Sequence, residues 1–134
     1  MAVTPTPAMT QSPLLGVVQV DTANSDRTGA IGTFSAVVAA GANGSLVDYI
    51  LFVAIVTTTA GTIRIFYSAD AATNWRLVGE VTIAAVTPSG TVPAATAIWI
   101  PWGGVPFGIP ASSGLKFCIS NTETVNCLVH GGNL

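Results

Sequence analysis

Very few side chains in this sequence could carry chemistry: among 134 residues there are one histidine, two cysteines, six acidic and four basic residues. Cys118 and Cys127 lie on either side of NTET at 121–124. A hairpin of two strands around that turn, 115–120 and 125–130, would set the cysteines opposite each other, where a disulfide is geometrically allowed. A chain kept in a reducing cytoplasm holds such thiols free, so reduced cysteines are expected. Two cysteines and the lone His130 do not complete the usual four-ligand zinc set. His130 also lacks the serine or aspartate pattern that makes a histidine a general base, and it reads as a strand-end side chain. Asp48 reads as a carboxylate reaching solvent or a backbone N–H, since no partner group is visible for it. In DTANSD, 21–26, the oxygens of Asp21, Asn24 and Asp26 could face a cation. The glycine, the spacing and the distal bidentate glutamate of a calcium loop are missing, so a solvated loop is expected. Proton transfer and nucleophilic attack need titratable groups that converge, and these are scattered. No catalytic residue, metal or cofactor is expected, and the protein reads as non-enzymatic.

Composition carries more. Charged residues make up 7% of the chain and hydrophobic ones 50%, against about 25% charged in an average soluble domain. The remaining polarity is Thr, Ser, Asn and Gly, which make surfaces that dock without desolvating ions. An assembly component is expected, with much of its outer surface covered by neighbours. Arg27, Arg64, Arg76 and Lys116 are dispersed and the net charge is −2. No basic stripe exists to displace counterions from phosphates, so nucleic acid is not an expected partner. Nor is a membrane: the longest apolar run, 49–56, is short and rich in β-branched residues. No basic segment followed by an apolar one opens the chain, so no secretory leader is expected and the protein should be made in a cytoplasm.

The elements that must position these groups are strands. Residues 46–57 are apolar on both sides, with Val47, Tyr49, Leu51, Val53 and Ile55 on one and Leu46, Ile50, Phe52, Ala54 and Val56 on the other, the pattern of a strand buried within a sheet. The runs 62–68 and 74–84 alternate better and should flank it, so that 45–85 forms a three-stranded meander. A symmetric loop at 69–73 would put Arg64 opposite Val78 and diagonal to Glu80, within reach of a cross-strand ion pair. Upstream, 14–20 and 31–40 read as strands. GANG at 41–44 predicts a tight hairpin through Asn43-Gly44, with Val38 opposite Tyr49. Downstream, 94–100 is a strand with Ile98 and Ile100 on one face and Trp99 on the other. Residues 101–114 form a long loop with three prolines and four glycines. Its Trp102 and Phe107 either make a contact surface on a stiff frame or cap the core. The first stretch, MAVTPTPAMTQSP, has three prolines and no charge. It should be an extended arm lying against a neighbouring subunit. About eight strands and no amphipathic helix predict an all-β protein: an antiparallel β-sandwich over 14–134 as a single domain, with a jelly roll as one arrangement, preceded by the arm at 1–13.

From Thr57 onward, TTTAGTIRIFYSADAATNWRLVGEVTIAAVTPSGTVPA and then IPASSGLKFCISNTETVNCLVHGG resemble small β-rich virion proteins of tailed bacteriophages, and among them the capsid decoration or cement proteins. The resemblance implies a non-enzymatic virion protein that binds the outer surface of an assembled phage head and stabilises it. It implies the major capsid protein and copies of itself, as a homotrimer, for partners. No residue roles come with the resemblance. The residues expected to meet partners are Val3, Pro5, Pro7 and Met9 of the arm and Trp102 and Phe107 of the loop. Two other readings stand beside it: a tail, head-fibre or adsorption component with Trp99 and Trp102 against host glycans, and a carbohydrate-binding module. Specific binding on a glycan array separates these from a cement role.

Overall fold

The computed structural model of the chain describes residues 12–134. Its strands are β1 (Ser12–Val20), β2 (Val38–Ala39), β3 (Ser45–Ala54), β4 (Gly61–Ser68), β5 (Arg76–Ile83), β6 (Thr96–Trp99), β7 (Phe107–Ile109), β8 (Gly114–Ile119) and β9 (Val125–Asn133), with one 3-10 turn at Trp102–Gly104. They form two antiparallel sheets. The first has the order β1-β9-β3-β6, with β7 also on β3, and the second the order β2-β8-β4-β5. β6 pairs with residues 50–53 of β3 and β7 with residues 45–47, so the two behave as one edge strand broken by 100–106. Counted that way, eight strands pair first with last: β1 with β9, β2 with β8, β3 with β6 and β7, and β4 with β5. This nested pairing is a long antiparallel ribbon rolled into a sandwich, the strand order of a jelly roll.

The core lies between the sheets. Ile50, Phe52, Ala54, Val125, Cys127 and Val129 meet Ile63, Ile65, Ile83, Leu115, Phe117 and Ile119, all essentially inaccessible to water. Phe52 and Phe117 make the central edge-to-face contact at 5.8 Å. Each such side chain contributes about 1.5–3 kcal/mol on burial. The inward positions recur every second residue, as a pleated strand requires. β3 breaks that period: the register shifts between Val47 and Tyr49. A bulge there lets Ser45 and Val47 face inward along with Ile50, Phe52 and Ala54. Leu46, expected on the same side as Ile50, is thereby rotated out of the core. Gly131 faces this irregular stretch, where a Cβ would collide with the Leu46 carbonyl.

Several expected pairings do not form, and the reason is shared: most connections cross between the sheets. The meander over 45–85 is absent because β3 belongs to the first sheet and the β4–β5 hairpin to the second. Thr58 anchors the crossing, its hydroxyl donating to the Ala84 carbonyl at 2.6 Å while its backbone bridges to Val86. GANG does turn tightly, with the Gly44 N–H on the Gly41 carbonyl at 3.0 Å and Gly44 at φ 92. Asn43 is not at positive φ, as a two-residue hairpin turn would need. The chain passes instead to the other sheet, and Val38 lies opposite Leu115 rather than Tyr49. The strand expected over 31–40 shrinks to Val38–Ala39. Gly32 at φ 88 interrupts it, and Ser35 is held by Phe117 through both its N–H and its hydroxyl. β8 and β9 are likewise not a hairpin, so Cys118 lies opposite Arg64 and Cys127 opposite Phe52. Both thiols are free and buried, and burial raises the pKa of each. Part of the loop expected over 101–114 is strand β7. β1 already includes Ser12 and Pro13 of the expected arm, and Pro13 lies on an edge strand, where proline is tolerated.

Candidate functional site

The two outer faces of the sandwich are finished differently. The second sheet's is roofed by residues 21–37, and Asp26 folds the roof. Its carboxylate accepts the N–H groups of Thr28 (3.0 Å), Gly29 (2.8 Å), Ala30 (3.1 Å) and Ile31 (3.1 Å), and the Thr28 hydroxyl at 2.8 Å. These bonds, that from the Thr28 backbone foremost, hold its pKa far below the usual carboxylate range. Asn24 donates to the Ile31 and Thr33 carbonyls at 3.0 and 2.8 Å and accepts the Asp26 N–H. The Asn24 and Asp26 oxygens that could have faced a cation are thus committed to the loop's own backbone. Among the described residues no three His, Cys, Asp or Glu side chains converge.

Beneath the roof Arg64 is 4% exposed. Its Nε donates to Glu80 Oε1 at 2.9 Å, a terminal N–H donates to the Asn24 carbonyl at 3.0 Å, and Arg27 Nε reaches the same Glu80 oxygen at 2.8 Å. The expected Arg64–Glu80 pair is therefore present. The two residues are directly opposite rather than diagonal, because the hairpin sets Tyr67 opposite Arg76, one residue off a symmetric loop, and the β4–β5 register shifts by one more between Ile65 and Phe66. Lys116 donates to the Gly29 carbonyl at 2.9 Å and lies over the rings of Phe34 and Trp75 at 3.8 and 4.7 Å, and burial lowers its pKa.

Nothing among the described residues roofs the first sheet. Its four strands place Val17, Leu128, Leu51 and Ile98 in one register row from edge to edge. Val17 is 65% and Ile98 52% exposed, and the two leucines between them are partly buried. On one side of this row lie Gln19, Asn126, Val53 and Thr96, all uncharged. On the other the rings of Tyr49 and His130 stack at 4.7 Å. Asp48, at the bulge, brings Oδ2 to 3.3 Å from His130 Nδ1, without the alignment of a hydrogen bond. Both Asp48 and His130, expected to stand alone, therefore meet each other. A one-sided antiparallel sheet normally turns a polar face to water, and this one carries an apolar row across all four strands, the kind of exposed patch that marks an interaction surface.

A second apolar feature sits where β6 gives way to β7. Trp99, Phe107, Val78, Pro101, Val105 and Pro106 line a cleft of about 470 Å³. Phe107 is half-buried, edge-to-face with Tyr67 at 4.8 Å and with Trp99 at 6.1 Å, so its ring both closes the core and lines the cleft. Ile98 and Ile100 point outward and Trp99 inward, as expected. Trp99 is 7% exposed, too little to offer a sugar a stacking face, which removes it as a glycan contact. Trp102 opens the 3-10 turn, and its side chain lies outside the described residues, as do Val3, Pro5, Pro7 and Met9 of the expected arm.

Val17, Leu51, Ile98 and Leu128 were not singled out by sequence reasoning as a group. The doubly apolar pattern of β3 was a signal for Leu51, but the alignment of the other three depends on strand pairings between distant segments. Compared with protein-family models and with curated proteins, the chain matches none.

Proposed function

We propose that this chain is a non-enzymatic structural protein of a phage virion, a decoration or cement protein that binds the assembled head and stabilises it, partnered by the major capsid protein and by copies of itself. The observation that carries this reading is the outer face of the first sheet, left uncovered by the described residues and crossed by the apolar row Val17, Leu128, Leu51 and Ile98, which belongs on a chain that spends its life covered by neighbours. The jelly-roll order supports it at the level of fold, since capsid domains use that architecture, as lectins and cupins also do. The resemblance of 57–94 and 109–132 to small virion proteins supports it independently. A protein that binds only the assembled shell shifts the equilibrium away from disassembly by mass action, by about 2.7 kcal/mol per site at a free concentration of 100 times Kd. No bond is made or broken in such a role.

The test is cosedimentation of the purified chain with phage heads that lack it. Saturable binding, with a copy number fixed by the shell's symmetry and a rise in the temperature at which heads release DNA, is the expected result. A chain that stays in the supernatant at tens of micromolar, or one that binds without altering head stability, would refute the cement role.

A further inference from the structure

We infer that the outer face of the first sheet is covered by the same face of a second copy, forming a two-fold dimer by sheet-on-sheet packing. This deepens the proposed function and rests on its reading of that face as a covered surface. It assigns the covering partner and leaves the head to be met by other surfaces of the chain.

Area comes first. Strands spaced about 4.8 Å apart and rising about 3.4 Å per residue make β1, β9 and β3, with the shorter β6 and β7 at their edge, a face of roughly 550 Å². Two copies face to face would bury on the order of 1,100 Å², above the roughly 1,000 Å² that a specific interface needs. Smaller contacts on the edge cleft would not. Charge comes second. A two-fold axis lays a face on itself, so any net charge on it would meet its own image. Here the rows Gln19, Asn126, Val53, Thr96 and Val17, Leu128, Leu51, Ile98 carry no charged side chain, and the carboxylate of Asp48 lies off these rows, beside the bulge and 3.3 Å from His130 Nδ1. Shape comes third. The apolar row Val17, Leu128, Leu51 and Ile98 runs across the strands through the middle of the face. Two twisted sheets packed at about −30° would cross such rows near the axis, where each side chain meets its symmetry mate or a neighbour of it. A three-fold assembly requires two different complementary patches, and a self-complementary face closes with two copies.

Sedimentation velocity and native mass measurement of the full chain test this without any capsid present. The wild-type chain is expected to run as a dimer at micromolar concentration. The variant V17K/I98K places lysines only at positions already more than half exposed. It is expected to keep the wild-type circular dichroism spectrum and to dissociate at least roughly 100-fold more readily, since each substitution occurs twice in the dimer. Val92→Lys, an exposed valine outside this sheet, is expected to leave the dimer unchanged. A wild-type monomer or trimer, or a V17K/I98K protein that remains dimeric, would overturn the inference. Head cosedimentation reads the other proposal separately: monomers that saturate heads refute the dimer alone, and dimers that ignore heads refute the cement role alone.

Discussion

Glu80 is the point on which the buried cation of this sandwich depends, and replacing it with glutamine isolates that dependence. One oxygen, Oε1, receives both Arg64 Nε at 2.9 Å and Arg27 Nε at 2.8 Å, yet the two arginines differ in surroundings: their side chains are 5% and 60% exposed. Removing one partner of a buried ion pair costs about 3–5 kcal/mol, because the other charge stays desolvated and uncompensated. Glu80 is itself 35% exposed, so water screens part of that loss, and Glu80→Gln should cost about 2–3 kcal/mol. Arg27→Ala breaks an equally short contact on the solvent side and should cost about 0.5 kcal/mol. For a domain of this size these correspond to falls in Tm of about 8 °C and about 2 °C. Urea unfolding of both single variants and of R64M/E80Q provides the assay. The double variant should be more stable than Glu80→Gln alone, since the orphaned charge is gone. If Glu80→Gln cost under 0.5 kcal/mol, or if Arg27→Ala cost as much, burial would not be what sets the energetics of this pair.

The β4–β5 hairpin turns through Ala71 and Ala72 at φ 57 and 60, a left-handed pair that costs L-residues about 1–2 kcal/mol each. Replacing them with Asn-Gly should raise stability by about 1 kcal/mol, read as a higher urea midpoint at unchanged slope; a lower midpoint would mean that the alanines are held by contacts worth more than their strain. Hydrogen bonds from the Asn74 side chain, the Asn74 N–H and the Ser68 hydroxyl lower the Asp70 pKa from 3.8 to about 2. A depressed folded-state pKa gives stability that is present above pH 4 and lost as the pH falls toward 2. The Tm of the wild type should therefore fall across that window more steeply than that of Asp70→Asn, and parallel curves would refute the assignment. Cys118 and Cys127 are 1% and 0% exposed, so an aromatic disulfide reagent should find no reactive thiol in the native chain and two after unfolding.

Legibility followed the range of the interaction. The alternation in β4 and β5 and the facing of Ile98, Trp99 and Ile100 were readable, because each depends on neighbours one or two residues away. The Arg64–Glu80 pair was readable because β4 and β5 are joined by a short turn. The fold class followed from β-branched runs and turn residues, and the all-β sandwich is what forms. Hidden from sequence were the crossings between sheets. Asn43-Gly44 carries the composition of a hairpin, and only the demand that Val38 enter the core beside Leu115 decides that the chain changes sheet. The bulge at Asp48 inverted the facing of Leu46 and Val47 for the same kind of reason: the partner strand, β9, lies some eighty residues downstream. The bare face was half legible. Leu51 and Val53 stood out as surplus apolar residues, whereas Val17, Leu128 and Ile98 joined them only through pairings that no local pattern encodes.

The position of β9 sets a timetable for the protein's synthesis. It lies between β1 and β3 and pairs with both along its length, yet of the nine strands it leaves the ribosome last. Until then β1 has no partner along its length, and β3 can pair only on the side of β6 and β7. The hairpin β4–β5 can form early, with β8 to follow on its far edge. The first sheet, by contrast, must wait for β9, with β1 unpaired and β3 paired on one side only. Nascent chains of this sequence should therefore be exposed to chaperones until β9 has emerged, and losing β9 should cost the pairing of both β1 and β3 rather than one edge of the sheet.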